Sequence, residues 1–275
     1  MRKKCYITLI IGLVSFLTTF SQSGIYESYV IVNSNGTGNT YYDLQATTAN
    51  IDFDGHNLGT FQMSNPNSLI LNGAQNKTFK CNTDDITNGF LNYRIYLTSD
   101  LTPPAFTGSE IFFLSNDGSA GCTGTDQNQT WEATGANINV LSGLCAGTYY
   151  LEVYTTADFS FTAGGGGSGT HFSNNGTLNY KATFTVQDDI DPTISCPSNM
   201  NNVSVDSGQC YATVNYNITS GDNCPGASVS QTAGIASGGQ FPVGTTTNTF
   251  VITDAAGNTA TCSFDITVID DEDPT

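Results

Sequence analysis

From residue 24 onward, apolar and polar side chains alternate one for one through segment after segment, and no stretch shows a helical spacing of apolar residues. Cys262, Phe264, Ile266 and Val268 alternate with Thr261, Ser263, Asp265 and Thr267. Cys210, Ala212, Val214, Tyr216 and Ile218 alternate with Tyr211, Thr213, Asn215 and Asn217. Leu91, Tyr93, Ile95 and Leu97 do the same, as do Tyr180, Ala182, Phe184 and Val186. A period of two places one face of a strand in a core and the other in water. Glycine and Asn/Asp clusters such as Gly221-Asp222, Gly238-Gly239 and Ala256-Gly257-Asn258 separate these runs. That is the punctuation of a sandwich, so the expected fold class is all-β.

The domain plan comes from a repeated string. DDIDPT at Asp188–Thr193 returns as DDEDPT at Asp270–Thr275, with Asp191 and Asp273 82 residues apart. A fixed period of this size signals tandem modules. The expected division is a leader over 1–23, a β-sandwich over 24–187, a second sandwich over 188–270 and the start of a further repeat at 271–275. The leader reading rests on Arg2-Lys3-Lys4, the apolar run Tyr6 to Phe20, and the small residues of Ser21-Gln22-Ser23. That run is shorter than the ~20 residues needed to span a bilayer, so cleavage before Gly24 is expected, with no membrane insertion afterwards. The destination is the cell surface or the medium.

Charge excludes other partners. With the leader removed, Lys77, Lys80, Arg94 and Lys181 are the only cations against 24 acidic side chains. Nucleic acids and anionic lipid are drawn to clustered Lys and Arg, and no such cluster exists here. Outside the cytosol thiols pair, and none of the cysteine spacings suits a zinc site.

Five features of residues 188–270 carry a resemblance: Asp191-Pro192 before Cys196-Pro197; Asp222-Asn223-Cys224; Phe241-Pro242-Val243-Gly244-Thr245; Thr253-Asp254-Ala255-Ala256-Gly257-Asn258; and Cys262-Ser263-Phe264. In this order they resemble the hyalin repeat (HYR) domain. The resemblance implies an immunoglobulin-like sandwich used in extracellular adhesion, often in tandem, with no catalytic machinery. The segment 24–187 resembles N-terminal domains of multidomain surface proteins of gliding and marine Bacteroidetes, which implies no activity. Within it, Leu141 to Tyr149 resembles the tyrosine corner of Greek-key sandwiches.

Four cysteines in the second module allow three pairings. Cys196 with Cys262, and Cys210 with Cys224, is the favoured set, leaving the pairing of Cys81, Cys122 and Cys145 open.

Candidate sites are few. Gly164, Gly166 and Gly169 match a dinucleotide fingerprint formally, but lack the strand and helix it requires, and so form a loop. His56 and His171 sit in no nucleophile motif, and the paired acids Asp84-Asp85 have the geometry of a wet turn, so no enzyme is expected. Asp52 and Asp54, before Gly55, have the alternate oxygens of a calcium loop, but position 12 of such a loop would be Phe61 and no helices flank it, so a polar hairpin turn is the expectation and calcium the alternative. Asp188, Asp189 and Asp191 crowd the module boundary in a stretch without Lys or Arg. Either they hold calcium, with Asp254 or Asp222 completing the shell, or they keep a linker extended. Trp131, in the polar stretch Gln127 to Glu132, is the candidate ligand-binding ring.

The expected function is an extracellular adhesion protein, with a ligand-facing N-terminal sandwich and a spacer repeat, contacting an extracellular glycan or a surface protein. The alternative is a polysaccharide-binding accessory module of a larger secreted enzyme.

Overall fold

The computed structural model describes residues 22–65, 67–122 and 126–273, so the leader reading lies outside the described residues except at its last two positions. Every regular element among the described residues is a strand apart from two single 3₁₀ turns. The N-terminal strands are β1 (Ser23–Ser34), β2 (Asn39–Asp43), β3 (Asn57–Gln62), β4 (Leu69–Cys81), β5 (Asp85–Leu97), β6 (Thr107–Gly118), β7 (Asp126–Ala133), β8 (Ile138–Asn139), β9 (Gly147–Phe161), β10 (Gly167–Ser173) and β11 (Tyr180–Gln187). They hydrogen-bond in the order β2-β1-β4-β7-β6-β5-β9-β11-β3, with β8 on β4 and β10 on β9. β6 serves both layers, pairing β5 through Thr107–Ile111 and β7 from Phe112 onward, so the sheet folds over on itself at this strand.

Between the layers lie Val30, Leu69, Leu71, Leu91, Ile111, Leu151, Val153 and Phe184, each at most 1% exposed. Burying such a side chain contributes ~1.5–3 kcal/mol, and the alternation along β5, β9 and β11 aims them at one another. One end of the interior is polar instead: Ser28, Asn76, Thr78 and Thr155 are fully buried, and Asn76 Nδ2 donates to the Thr156 carbonyl at 2.9 Å.

The remaining strands are β12 (Thr193–Ser195), β13 (Met200–Ser204), β14 (Tyr211–Val214), β15 (Thr219–Gly221), β16 (Ser228–Ala233), β17 (Gly239–Pro242), β18 (Gly244–Thr253) and β19 (Thr259–Ile269). A sheet β13-β19-β18-β16 is accompanied by the pairs β14-β17 and β12-β15. Ala212, Val214, Phe241, Phe250, Phe264, Ile266 and Val268 form a second core, separate from the first. The chain is thus all-β, with an immunoglobulin-like sandwich following a larger one. Cys196–Cys262 ties the chain just after β12 to β19.

A candidate metal centre at the seam between the two modules

β11 ends at Gln187, and the chain crosses to the second module through Asp188–Pro192. Gln187 still pairs with Gln62 of β3, and its carbonyl accepts from Met63 N at 3.0 Å, so the crossing chain stays stitched to the N-terminal module. Asp189 continues the stitch: Oδ1 accepts from Ser64 N at 2.8 Å, and Oδ2 from the Ser64 hydroxyl. Those two donors hold its carboxyl below the usual carboxylate range.

Two turns of the second module meet this crossing. After β15 come Asp222-Asn223-Cys224. Between β18 and β19 lies the turn Asp254–Asn258, where Gly257 adopts a φ of +96° that favours glycine. Asp254 Oδ1 accepts from Gly257 N at 2.7 Å and Asn258 N at 2.8 Å, while Asn258 Nδ2 donates to Asp254 Oδ2 at 2.8 Å. The same Nδ2 faces the carbonyls of Asp188 and Ile190 at 3.1 and 3.4 Å, clamping the crossing chain to the turn. Burial pushes the Asp254 carboxyl up, but the Asn258 side chain and the turn's N–H groups outweigh it, and the net shift is downward.

The outcome is a triad. One carboxylate oxygen from each of Asp188, Asp222 and Asp254 lies within 4.8 Å of the other two. Asp188 Oδ2 accepts from Asn223 Nδ2 at 3.1 Å and Asp222 Oδ2 from Cys224 N at 3.3 Å. Asp222 Oδ1 is buried with no hydrogen-bond partner. No described Lys or Arg pairs with any of the three, the four ion pairs falling on Glu27, Asp85 and Glu152. Two like charges at about 4 Å repel by ~1 kcal/mol in water and ~4 kcal/mol near a protein surface. An all-oxygen donor set with one buried oxygen unused fits a hard divalent cation, calcium before zinc.

This arrangement revises the expected ligand set. Asp188 belongs to the triad with both candidates from the module's turns, Asp222 and Asp254, whereas Asp189 is turned to Ser64 and Asp191 is exposed outside the cluster. Asp52 and Asp54 join no third carboxylate among the described residues. Asp54 instead accepts from Lys181 N at 2.9 Å and Asn175 Nδ2 at 3.4 Å, and Asp52 forms a β-bridge with Asp43. The acid that organises that loop is Asp43, 1% exposed, which accepts from the N–H groups of Gln45, Thr47 and Thr48 and the Thr48 hydroxyl.

The expected Cys210–Cys224 bond is not formed. Cys224 bonds to Cys145 of the N-terminal module, Cys81 to Cys122, and Cys210 is an exposed free thiol. The physical reason is placement: Cys224 follows the acid turn at the seam, while Cys210 lies beyond the Asp206–Gln209 turn, where Glu272 binds Gly208 N. A pocket of about 240 Å³ beside the inter-module bond is lined by Phe61, Met63, Leu144 and Asn223 among others.

Trp131 is not an exposed ring. It is 8% exposed and packs edge-to-face on Phe113. Its polar neighbours misled because they are buried as well: Gln129, on the Trp131 side of β7, lies beside Thr78 in the polar end of the interior, while Thr130, on the other side, donates to Asp117. His171 Nε2 lies 3.0 Å from Ser23 Oγ with its ring stacked on Phe159, but Ser23 is 6% exposed and closed to a substrate. His56 packs on Tyr42.

A site that sequence reasoning missed surrounds Glu152, an acid 1% exposed on β9. Arg94 grips it with Nε at 3.0 Å and Nη2 at 2.9 Å, Asn179 Nδ2 donates at 2.7 Å, and the Tyr96 hydroxyl donates as well. The register Arg94–Glu152–Lys181 across three strands was the available signal.

No curated protein matches the chain. Among solved structures, extracellular cadherin domains 1–4 of protocadherin gamma B7 are 13% identical, covering 79% of this chain and 50% of that one at a TM-score of 0.25. The fibronectin(III)-like modules of Clostridium thermocellum CbhA are 8% identical, covering 87% and 94% at a TM-score of 0.22. The DIP-gamma IG1+IG2 structure is 11% identical, covering 78% and 94% at 0.23. The chain spans about half the length of the two protocadherin structures it matches first. At these scores the likenesses carry no argument, and the fold rests on the strands themselves. The second module is different: residues 187–268, which include Asp188, Asp222, Asp254 and the Cys196–Cys262 bond, match the family model of the HYR domain.

Proposed function

We propose that the chain is a secreted or cell-surface adhesion protein, in which the N-terminal sandwich faces the ligand and the HYR module is a spacer. In this reading a calcium ion held by Asp188, Asp222 and Asp254 fixes the angle between them. The observation that carries it is the coincidence at the seam of the Cys145–Cys224 bond, the Ser64–Asp189 contact and the acidic triad. A spacer transmits a binding face to a distant partner only if its joints resist bending, and three devices here act on one joint. Calcium would supply charge neutralisation and would leave the chemistry of the ligand to the sandwich. The absence of catalysis belongs to the same reading, with a surface protein as the partner favoured over a glycan. The division at 187/188 belongs to it too.

The alternative, a polysaccharide-binding accessory module, draws its support from a ring set on the β9 layer, where Phe106 and Phe172 flank Tyr154 and Phe172 is 57% exposed.

The test is binding of the labelled mature protein to whole cells and to extracted polysaccharide, in calcium and in a chelator. Cell binding that calcium strengthens is expected. Binding to polysaccharide alone would favour the alternative, and hydrolysis of it would overturn the non-enzymatic reading.

A further inference from the structure

At the corner where β6 passes from one layer to the other, alternation fails. Ile111 pairs with Gly89 and is 1% exposed, whereas Phe112 pairs with Glu132, and a bulge follows between Phe113 and Ser115. Leu114 is the extra residue of that bulge and stands 59% exposed, Phe112 on the Glu132 face of the strand is 58% exposed, and Phe113, on the Trp131 face, is 48% exposed. Phe113 spends part of its surface on the Trp131 ring, but Phe112 and Leu114 are more than half exposed, and apolar patches on secreted proteins mark contacts with partners.

Beside the corner lies a groove of about 400 Å³, lined by Glu110, Phe112, Glu132, Ala133, Gly135 and Ala136 among others. Glu132 accepts from Tyr41 and Gln75, and among the described residues neither acid is paired with a cation. An aromatic face, small apolar residues and two carboxylates together suit a guanidinium or ammonium group on an aliphatic stem. A neutral glycan would use the ring but brings no charge to the acids. A second copy of this chain is unsuited as well, because all four described cations are engaged: Lys77 with Glu27, Lys80 with Asp85, and Arg94 and Lys181 with Glu152.

We infer that this corner is the docking surface for a different, basic protein. It places an Arg or Lys side chain between Phe112 and the Glu110/Glu132 pair and lays an apolar residue over Leu114. The inference rests on the reading of the N-terminal sandwich as the ligand-facing module and names the chemistry of its partner.

The chain carries its own reporter. Trp131, its single tryptophan, meets the Phe113 ring at 5.5 Å and 75°, so contact at the corner changes its emission. The experiment titrates the whole secreted chain with poly-L-arginine, with poly-L-glutamate and a neutral oligosaccharide as controls. A saturable emission change with poly-L-arginine alone is expected, weakened roughly tenfold in Glu110→Gln/Glu132→Gln and in Phe112→Ser. Asp270→Asn/Asp271→Asn makes the same change in net charge at the far end and should leave the titration intact. Equal weakening in that control, no Trp131 response, or a response to the neutral sugar would overturn the inference. Failure of the unaltered protein to bind cells would sink the underlying reading. Cell binding that survives all three corner substitutions would sink only the corner.

Discussion

The hydroxyl of Tyr149 donates to the carbonyl of Cys145 at 2.9 Å, and Cys145 is the residue whose sulfur crosses the seam to Cys224. One side chain thus joins the tyrosine corner of the first sandwich to the covalent link with the second. The Tyr149 ring stacks on Phe184 at 5.5 Å, and burial pushes its hydroxyl pKa up, so the phenol stays a donor at any physiological pH.

Tyr149→Phe keeps the stacked ring and removes only the hydroxyl. The expected cost is about 1 kcal/mol in a denaturant titration, the net worth of one hydrogen bond. Because the loop carrying Cys145 loosens, dithiothreitol should reduce the Cys145–Cys224 bond faster in the variant.

Cys145→Ser opens the inter-module link while Cys81–Cys122 and Cys196–Cys262 remain. The chain-entropy estimate for a loop of this length is about 4.5 kcal/mol. Solution scattering should show a broader distribution of inter-module distances, and an unchanged profile would mean that the non-covalent contacts fix the joint alone.

Native protein should react with a maleimide at one position, Cys210, the only unpaired cysteine among the described residues. Cys210→Ser should abolish labelling and alter stability by less than about 0.5 kcal/mol, as for other exposed substitutions. Peptide mapping that found Cys210 joined to Cys224 would contradict the structure.

Acid sensitivity should centre on Glu152. Burial pushes its carboxyl up, but the bonds from Arg94, Tyr96 and Asn179 outweigh this and hold it below its ordinary range. A depressed folded value means that the stabilisation is complete above the ordinary carboxylate pKa and is lost as pH falls through the folded one. Asp43 and Asp254 shift in the same direction, so melting temperature should be flat near neutrality and decline below about pH 4. Glu152→Gln should cost roughly 3 kcal/mol at neutral pH, because Arg94 loses its buried partner, and should flatten the acid limb.

Calcium at ~10 mM should stabilise the protein by about 1.4–2.7 kcal/mol, given the ~10⁻⁴ to 10⁻³ M affinities of extracellular sites. Asp222→Asn should erase that gain. In chelator the same variant should be at least as stable as the parent, because it removes one of three mutually repelling charges. A variant less stable in chelator would show that Asp222 acts through its bond to Cys224 N and not as a ligand.

Local chemistry made the strands, the HYR-like motifs and the crowd of acids at the boundary legible, because period-two alternation and turn residues act over a few positions. The Cys196 and Cys262 motifs, at the first and last strands of the repeat, were legible for the same reason. Tertiary structure alone decided which acids meet: Asp222 and Asp254 lie 32 residues apart in sequence, and only the packing of the β15 and β18–β19 turns against the crossing chain brings them to Asp188. It also decided the partner of Cys224, since a disulfide requires sulfurs at bonding distance and no spacing along the chain reports on the surface of another module. Trp131 shows the converse limit. Its polar neighbours suggested exposure, but Thr130 and Glu132 point to the other side of the strand and Gln129 is itself buried, and burial is a property of the facing layer, which no local stretch of sequence contains.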